Sequence, residues 1–287
     1  MSLDHKITIL DLREKKLSSH RITMLAAYDC PTASIIDRAG IDLILVGDSV
    51  AMVLLGREHT VSVTMEEMLH HCRAVAQGAR HSLLIGDMPF LSYQADIGEA
   101  IHNAGRFLKE GGMDAVKLEG GLEISRTVRA IVDVGIPVMG HIGLTPQTIS
   151  MLGGYRVQGK DLATAKALVD DALALEDAGA FSLLIEAVPG PVAGLITERL
   201  TIPTIGIGSG PSCNGQSLVF YDLIGFLDRP LPKFVKQFAT VRSAILDAVK
   251  TYVEEVGAGT FPGPEHTYRI DDTVLEALTK ELGKEVG

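Results

Sequence analysis

The chain has 287 residues, of which 46% are hydrophobic, enough for the core of one α/β barrel of about 250 residues. Its formal net charge of −10, without a block of like charges, argues against the basic face that nucleic-acid-binding proteins present to phosphates. The charged N-terminus is not typical of a signal peptide, and no apolar run reaches the roughly 18 residues of a membrane span. Three cysteines without a CxxC pair indicate a reducing compartment. We therefore expect a cytoplasmic protein without nucleic-acid or membrane partners.

Short apolar runs alternate with amphipathic segments along most of the chain. The runs are continuously hydrophobic, as in parallel strands that are covered on both faces. The predicted strands are Ile22–Tyr28, Leu43–Asp48, Leu83–Asp87, Ala115–Glu119, Pro137–Gly140, Phe181–Glu186, Thr204–Ile207 and Leu218–Ile224. The predicted helices include Met65–Gly78, Ile97–Glu110, Glu123–Val134 and Leu162–Ala178. The repeat predicts a (β/α)8 TIM barrel, although periodicity alone leaves an open doubly wound sheet possible.

Three segments stand outside this repeat. Asp11–His20 is a short charged helix, which we expect at the bottom of the barrel. Ile142–Lys160 is long for a βα loop, and long loops in compact domains are often functional lids. Ala239–Val256 is a last amphipathic helix. We therefore expect one barrel domain over residues 1–287, with a short N-terminal helix and a C-terminal helical tail.

Polar and ionisable residues stand at the carboxyl ends of the predicted strands. They are Asp48, Ser49, Asp87, Lys117, Glu119, His141 and Glu186. Taken singly, each has an ordinary structural interpretation, such as a helix cap, an ion pair or a hydrogen-bonded histidine. In a barrel, however, all of these strand ends meet at one mouth, where active sites are built. Their convergence predicts an enzyme.

The carboxylates of Asp48 and Asp87 are the predicted metal ligands. Without thiolates or clustered histidines, they favour a hard, oxygen-loving cation such as Mg2+. Glu119 is either a third ligand or a residue that holds a metal-bound water. A 2-oxo acid offers a carboxylate and a keto oxygen that can chelate such an ion, which would stabilise an enolate.

Removal of a proton also requires a base. Glu186 is the candidate, and Glu119 competes with it. Lys117 is placed to bind a substrate carboxylate or to offset the charge of an enolate, and Ser49 to donate to the same carboxylate. His141 is placed to hydrogen-bond a product hydroxyl or a substrate carbonyl.

Nine segments along the chain resemble one enzyme family, 3-methyl-2-oxobutanoate hydroxymethyltransferase. They occur in order from Ile22 to His266, and GHIGLTPQ followed by GGYRVQG is the specific signal. The segments are AAYD (26–29), VGDS (46–49), GDMPF (86–90), VKLEGG (116–121), GHIGLTPQ (140–147), GGYRVQG (153–159), IEAVP (185–189), IPTIGIGSG (202–210) and PGPEH (262–266).

The resemblance implies a homodecameric barrel of the phosphoenolpyruvate/pyruvate-like superfamily. It implies Mg2+ and 5,10-methylenetetrahydrofolate as co-substrate, and a reaction through a Mg-stabilised enolate of 3-methyl-2-oxobutanoate that gives 2-dehydropantoate in pantothenate biosynthesis. It identifies no folate-contacting residue. The residue roles it implies are metal binding by Asp48, Asp87 and Glu119, proton acceptance by Glu186, and substrate contacts by Asp48, Ser49, Asp87, Lys117 and His141. The chain departs from the family pattern at Ala187, where Cys is frequent, and at Asn214, where Asp is frequent.

Two alternatives stay open. Another Mg-dependent 2-oxo-acid carbon–carbon lyase or decarboxylase, of the phosphoenolpyruvate mutase type, would share the barrel and the carboxylates, but the chain has no Lys-Lys-Cys-Gly-His-type motif. A nucleotide-binding module would use the GxGxG in GIGSGPSCNG (206–215). That segment lacks the strand–helix setting of a dinucleotide fingerprint, so we favour a tight turn after the seventh strand.

Overall fold

Eight short strands form the centre of the structure, a computed structural model that describes residues 5–283. The strands are β1 (Ile22–Ala26), β2 (Leu43–Val46), β3 (Leu83–Asp87), β4 (Ala115–Glu119), β5 (Val138–Gly143), β6 (Ser182–Glu186), β7 (Thr204–Ile207) and β8 (Gly215–Val219). Each strand pairs in parallel with the next, and β8 pairs with β1 to close the barrel. The predicted (β/α)8 barrel is confirmed. Every residue of β2, β3 and β4 is buried, as expected for strands covered on both faces.

Helices connect most of the strands and cover the outside of the barrel. They are α1 (Ile9–Leu17), α2 (Cys30–Arg38), α3 (Val50–Val53), α4 (Met65–Gly78), α5 (Ile97–Lys109), α6 (Ser125–Asp133), α7 (Ile149–Leu152), α8 (Leu162–Asp177), α9 (Gly190–Arg199), α10 (Phe220–Leu223), α11 (Val241–Ala258) and α12 (Asp272–Leu282). Side-chain caps fix where several begin. Thr64 and Glu67 form a capping box at α4, for example, and Asp161 caps α8.

The eighth strand differs from its prediction. An apolar run predicted a strand over Leu218–Ile224, but the strand is Gly215–Val219, and Phe220–Leu223 is helical. A Cβ atom on Gly215 would lie 2.5 Å from the carbonyl oxygen of Ile22, so glycine permits the close pairing with β1. The strand therefore begins with glycine and polar residues, which the hydrophobic pattern does not detect.

Helix α1 lies at the amino-terminal ends of the strands, as predicted for the segment Asp11–His20. Its Lys15 side chain pairs with Asp42, which directly precedes β2. Its Lys16 ammonium donates to the carbonyl oxygens of Leu200 and Ile202, at 2.8 Å each, in the connection from α9 to β7. Leu12 is fully buried. The short helix is thus anchored by both charge and packing.

The long segment after β5 is partly structured. Strand β5 itself extends to Gly143, so it includes His141 and ends three residues beyond its predicted end at Gly140. A 3-10 turn (Pro146–Thr148) and the short helix α7 follow. That this segment closes as a lid stays a prediction.

The described residues divide into two compact units, one ending at Ala239 and the other beginning at Thr240. The second unit contains α11, a 3-10 turn (Pro264–His266) and α12. Helix α11 corresponds to the predicted last amphipathic helix. Over residues 5–283, no helix combines the length and apolar character that crossing a membrane requires.

Candidate active site

The carboxyl ends of five neighbouring strands bring the predicted polar residues together. The strand register places Asp87 beside Lys117 and Glu119 beside His141, while Glu186 ends β6 beside the last residue of β5. Asp48 follows β2 by two residues. All of these side chains except that of Glu186 are almost completely buried, at most 4% exposed, so their charges interact without much screening by water.

Asp48, Asp87 and Glu119 form a buried acidic triad. Each offers one carboxylate oxygen, and these oxygens lie within 4.8 Å of one another. Burial and the neighbouring carboxylates of Asp87 and Glu119 raise the pKa of Asp48 well above its ordinary value. Burial likewise raises the pKa of Asp87, although Lys117 opposes the shift. Three like charges at this depth are unfavourable unless a cation compensates them.

One oxygen of the triad is left without a good partner. Within residues 5–283, Asp87 Oδ1 accepts no hydrogen bond of acceptable geometry, although Lys117 Nζ lies 2.9 Å away. The other oxygen, Oδ2, accepts from the backbone amide of Asp48 at 3.0 Å. An unsatisfied buried oxygen among all-oxygen donors fits a hard divalent cation such as Mg2+.

Lys117 is the positive charge at the centre of the cluster. Its Nζ lies 2.9 Å from Asp87 Oδ1, 3.3 Å from Glu119 Oε1 and 3.0 Å from His141 Nδ1. Burial opposes its charge, but the carboxylates outweigh burial and raise the pKa of Lys117. Burial would also raise the pKa of Glu119, but Lys117 and His141 lower it to about 2. Lys117 and Glu119 therefore stay charged at neutral pH.

His141 links this cluster to Glu186. Its Nδ1 lies 3.0 Å from Lys117 Nζ, and its Nε2 lies 3.3 Å from Glu186 Oε2. Burial and Lys117 lower the pKa of His141, but Glu119 and Glu186 outweigh them and raise it to about 9. The Glu186 side chain is 16% exposed. The side chains of Asp87, Lys117 and Glu119 are only 2–3% exposed. Glu186 is thus the acid of the group that a ligand reaches first.

The backbone beside Glu186 is held in an unusual conformation. Ala187 has φ 49°, in the left-handed region that side chains other than glycine rarely adopt. Its amide donates to Ile207 O at 2.9 Å, and its carbonyl accepts from the amide of Gln158. Backbone strain of this kind occurs where surrounding contacts determine the direction of a functional side chain. Ala187, one of the two departures from the family pattern, meets this demand with a small side chain.

Ser49 lies beside the triad under a buried tyrosine. Its Oγ is 2.8 Å from the hydroxyl of Tyr28, whose ring stacks on Tyr221. Burial raises the pKa of Tyr28, so the phenol stays neutral and its hydroxyl can fix the Ser49 rotamer. All seven predicted site residues therefore lie in one region.

Two polar residues of this region, Gln147 and Tyr93, have no role in the sequence predictions. The Gln147 amide donates to Asp48 Oδ2 at 3.1 Å, and its backbone N–H donates to Glu119 Oε2 at 3.0 Å. The Tyr93 hydroxyl contacts the Gln147 amide oxygen at 2.9 Å. Gln147 lies inside the GHIGLTPQ segment, which is a signal, but Tyr93 lies in an irregular stretch that has none.

A cavity of about 1440 Å³ opens next to these residues. Ser49 and Glu186 line it, together with Tyr155 from the long segment after β5. Its wall also includes the cationic residues Arg156, Arg229 and Lys233. Pockets for a single ligand usually measure about 300–1,000 Å³, so this cavity is larger than one such ligand requires.

The glycine-rich segment 206–215 forms the turn from β7 to β8. Strand β8, not a helix, follows it, so the strand–helix setting of a dinucleotide site is missing here. A Cβ atom on Gly208 would lie 2.6 Å from the Phe234 ring, which accounts for glycine at this positive-φ position. Asn214 accepts from Thr204 N and Oγ1 through Oδ1 alone, a role that the Asp frequent in the family can also fill.

The sequence model of ketopantoate hydroxymethyltransferase matches residues 6–264, which include every residue of the site. The chain belongs to this family. It is 54% identical over 273 residues to the 3-methyl-2-oxobutanoate hydroxymethyltransferase of Carboxydothermus hydrogenoformans, covering 95% of this chain and 99% of that one. It is 55% identical over 267 residues to the enzyme of the same name from Heliobacterium modesticaldum, covering 93% and 97%. The predicted family is confirmed, and with it the prediction of an enzyme.

Solved structures with the same fold belong to more distant proteins. Phosphonopyruvate hydrolase superposes with a TM-score of 0.60 at 13% identity, covering 98% of both chains. The phosphoenolpyruvate phosphomutase of Streptomyces platensis subsp. rosaceus gives 0.59 at 16% identity, covering 96% and 97%. At this identity the likeness shows the fold alone. It agrees with the (β/α)8 barrel of this chain and says nothing about a shared reaction.

Proposed function

We propose that this protein transfers a hydroxymethyl group from 5,10-methylenetetrahydrofolate to 3-methyl-2-oxobutanoate and gives 2-dehydropantoate for pantothenate biosynthesis. Family membership supports the overall reaction. The observation that carries the mechanism is the buried triad of Asp48, Asp87 and Glu119, joined through Lys117 and His141 to a more exposed carboxylate.

We assign Mg2+ binding to the acidic triad. The three carboxylates provide only oxygen donors, they are buried together, and their negative charge exceeds what Lys117 neutralises. Bound there, Mg2+ would polarise the keto group of the substrate and lower the barrier to deprotonation at C3.

Glu186 is the proposed base that takes the C3 proton. It faces the cavity, and its Oε2 lies 3.3 Å from His141 Nε2, at ion-pair distance. Glu119, the competing candidate, is a poor base, because its pKa is lowered to about 2. Both of its oxygens are also engaged, one by the backbone N–H of Gln147 and the other by Lys117.

Three further residues have proposed substrate contacts. The Lys117 ammonium, held in its charged form by the surrounding carboxylates, offsets the negative charge that develops on the keto acid. Ser49 is oriented by Tyr28 to donate to the substrate carboxylate. His141 is placed to donate through Nε2 to the new hydroxyl group once Glu186 carries a proton.

The one-carbon transfer balances with water as the third reactant. The methylene carbon loses both bonds to folate nitrogen and gains one bond to C3 of the keto acid and one to a hydroxyl from water. The C3 proton and the remaining water proton pass to the two nitrogens, which leaves tetrahydrofolate. Arg156 and Lys233 in the cavity wall support an anionic co-substrate, since folates carry glutamyl carboxylates, whereas Arg229 is paired with Asp222.

The decisive experiment replaces Glu186 with Gln. We expect exchange of the C3 proton of 3-methyl-2-oxobutanoate in deuterated water with Mg2+ to fall by about 10²- to 10⁴-fold, the usual contribution of a general base. Binding of the keto acid, measured by calorimetry, should persist. Glu198→Gln is the matched control, because Glu198 is an exposed glutamate on α9. Undiminished exchange in Glu186→Gln would remove this residue from the role of base.

The homodecamer remains a prediction from the family resemblance, and the cytoplasmic location remains a prediction from the cysteine content and the charged N-terminus. Ten chains of 30.7 kDa would give an assembly of about 307 kDa. Light scattering on the purified protein measures this mass directly, and a much smaller value would contradict the predicted assembly.

A further inference from the structure

We propose that Gln147 is a positioning residue that sets the spacing and orientation of the carboxylates of Asp48 and Glu119 for the metal. The inference rests on the proposed metal site. Gln147 is 3% exposed, although it lies in the segment after β5, and it is neither acidic nor basic. Its hydrogen bonds to buried groups account for this burial.

Gln147 contacts two of the three triad residues from one position. Its side-chain Nε2 donates to Asp48 Oδ2 at 3.1 Å, and its backbone N–H donates to Glu119 Oε2 at 3.0 Å. A single residue therefore holds one oxygen of each carboxylate at a fixed separation. Hydrogen bonds of this kind orient metal ligands and tune their affinity for the ion.

The surroundings determine which way the Gln147 amide points. Besides Asp48, Nε2 contacts the carbonyl oxygen of Met88 at 2.9 Å, and a carbonyl can only accept. On the other side, Oε1 accepts from the amide of Gln94 at 3.3 Å. A flipped amide would place its oxygen against the Met88 carbonyl. The N–H group is therefore directed at the carboxylate of Asp48.

Tyr93 anchors the other end of the amide. The Tyr93 hydroxyl oxygen accepts from the backbone N–H of Glu119 at 3.0 Å. Its hydrogen has two acceptors within reach, Glu119 O at 2.8 Å and Gln147 Oε1 at 2.9 Å. Tyr93 is almost fully buried, and burial raises its pKa, so the hydroxyl retains its proton. The phenol thus ties Gln147 to the backbone of β4, the rigid element that carries Glu119.

The test is an electron paramagnetic resonance titration of Mn2+, used in place of Mg2+, into wild-type and Gln147→Met protein. Met preserves the length and bulk of Gln but has no side-chain N–H, so it removes the bond to Asp48 and keeps the backbone bond to Glu119. Changes around metal ligands typically cost about 10- to 100-fold in affinity, so we expect at least a fivefold rise in the Mn2+ dissociation constant. The deficit in C3 proton exchange should shrink as Mn2+ is raised, because the defect is one of metal occupancy.

Gln158→Met is the matched control. Gln158 belongs to the same segment, and its exposed side chain donates to the carbonyl oxygen of Arg156 at 2.9 Å, away from the triad. We expect its Mn2+ dissociation constant to stay within twofold of the wild-type value. A less than fivefold change in Gln147→Met overturns the inference, even if that variant melts at a lower temperature, because the residue would then be merely structural.

Tyr93→Phe keeps the proposal falsifiable if Gln147→Met does not fold. It removes the hydroxyl that ties the Gln147 amide to the backbone of Glu119. We therefore expect at least a twofold loss of Mn2+ affinity, and unchanged affinity would overturn the inference. Wild-type protein that binds no Mn2+ would instead contradict the metal site of the proposed function. Wild-type binding with equal binding by the variants would contradict only the role of Gln147.

Discussion

The two ends of the barrel strands both bury aspartates, but they surround them with opposite groups. At the amino-terminal end, Asp37 is 3% exposed and accepts five hydrogen bonds, from the backbone or side chains of Arg80, His81 and Ser82. At the carboxyl-terminal end, Asp48 is equally buried, but its charged neighbours include two further carboxylates.

The pKa values of the two aspartates move in opposite directions. Burial raises the pKa of Asp37, but hydrogen bonds from Ser82, Arg80 and His81 outweigh it, and the net shift is downward. For Asp48, burial and repulsion act together, and the pKa rises. At the amino-terminal end, the buried charge of Asp37 therefore stabilises the fold. At the carboxyl-terminal end, the buried charge of Asp48 destabilises the fold but is available to bind a cation.

Asp48→Asn should have the largest effect and is the sharpest test of this difference. Loss of a metal ligand should lower C3 proton exchange on the order of 10³-fold, since metal catalysis contributes several kcal/mol to the barrier. The same change should leave the metal-free protein as stable or more stable in urea, because it removes one of three repelling charges. A loss of unfolding free energy above about 2 kcal/mol would contradict the view that this carboxylate is destabilising.

Asp37→Asn should lower the stability of the protein and leave its proton exchange unchanged. The new amide would direct its hydrogens at donors, so we expect a loss of about 3 kcal/mol in the free energy of unfolding, measured in urea. Proton exchange per folded molecule should equal that of the wild type. Reduced exchange in the folded fraction would show that the amino-terminal end also contributes to the chemistry.

The stabilisation that Asp37 provides should also decrease as the pH falls. Because folding lowers its pKa, its stabilisation is complete above the ordinary value of about 3.9 and is lost as the pH falls below it. The difference in unfolding free energy between the wild type and Asp37→Asn should therefore shrink below about pH 4. A difference that stays constant on acidification would exclude the carboxylate charge as its source.

The residues that carry formal chemistry could be predicted from the sequence, whereas the residues that position them could not. Asp48, Asp87 and Glu186 stand at the ends of apolar strands, where an acidic residue has no packing reason to be. Gln147 has no such contrast with its surroundings, because a polar residue in a loop is ordinary. Its role depends on contacts with Asp48, 99 residues earlier, and only the closed barrel creates them.

The strands likewise differ in how well the sequence predicts them. Strands made of continuous apolar residues, such as Leu83–Asp87, were predictable to the residue, because burial on both faces determines their composition. Strand β8 was not, because close approach to β1 selects Gly215 instead of an apolar side chain. Strand β8, which closes the barrel, is therefore the strand whose sequence is least typical of a strand.

The two ends of the barrel also differ in their lysines, Lys117 and Lys16. Replacing Lys16 has the smallest predicted effect on stability. Lys117 is surrounded by carboxylates that raise its pKa, whereas burial lowers the pKa of Lys16. Lys16 donates to neutral carbonyls at the end of α9, so Lys16→Met should cost only about 1 kcal/mol of unfolding free energy in urea. Its exchange activity per folded molecule should be unchanged, whereas Lys117→Met should abolish exchange. If Lys16→Met also impaired exchange, the separation of a stabilising end from a catalytic end would be wrong.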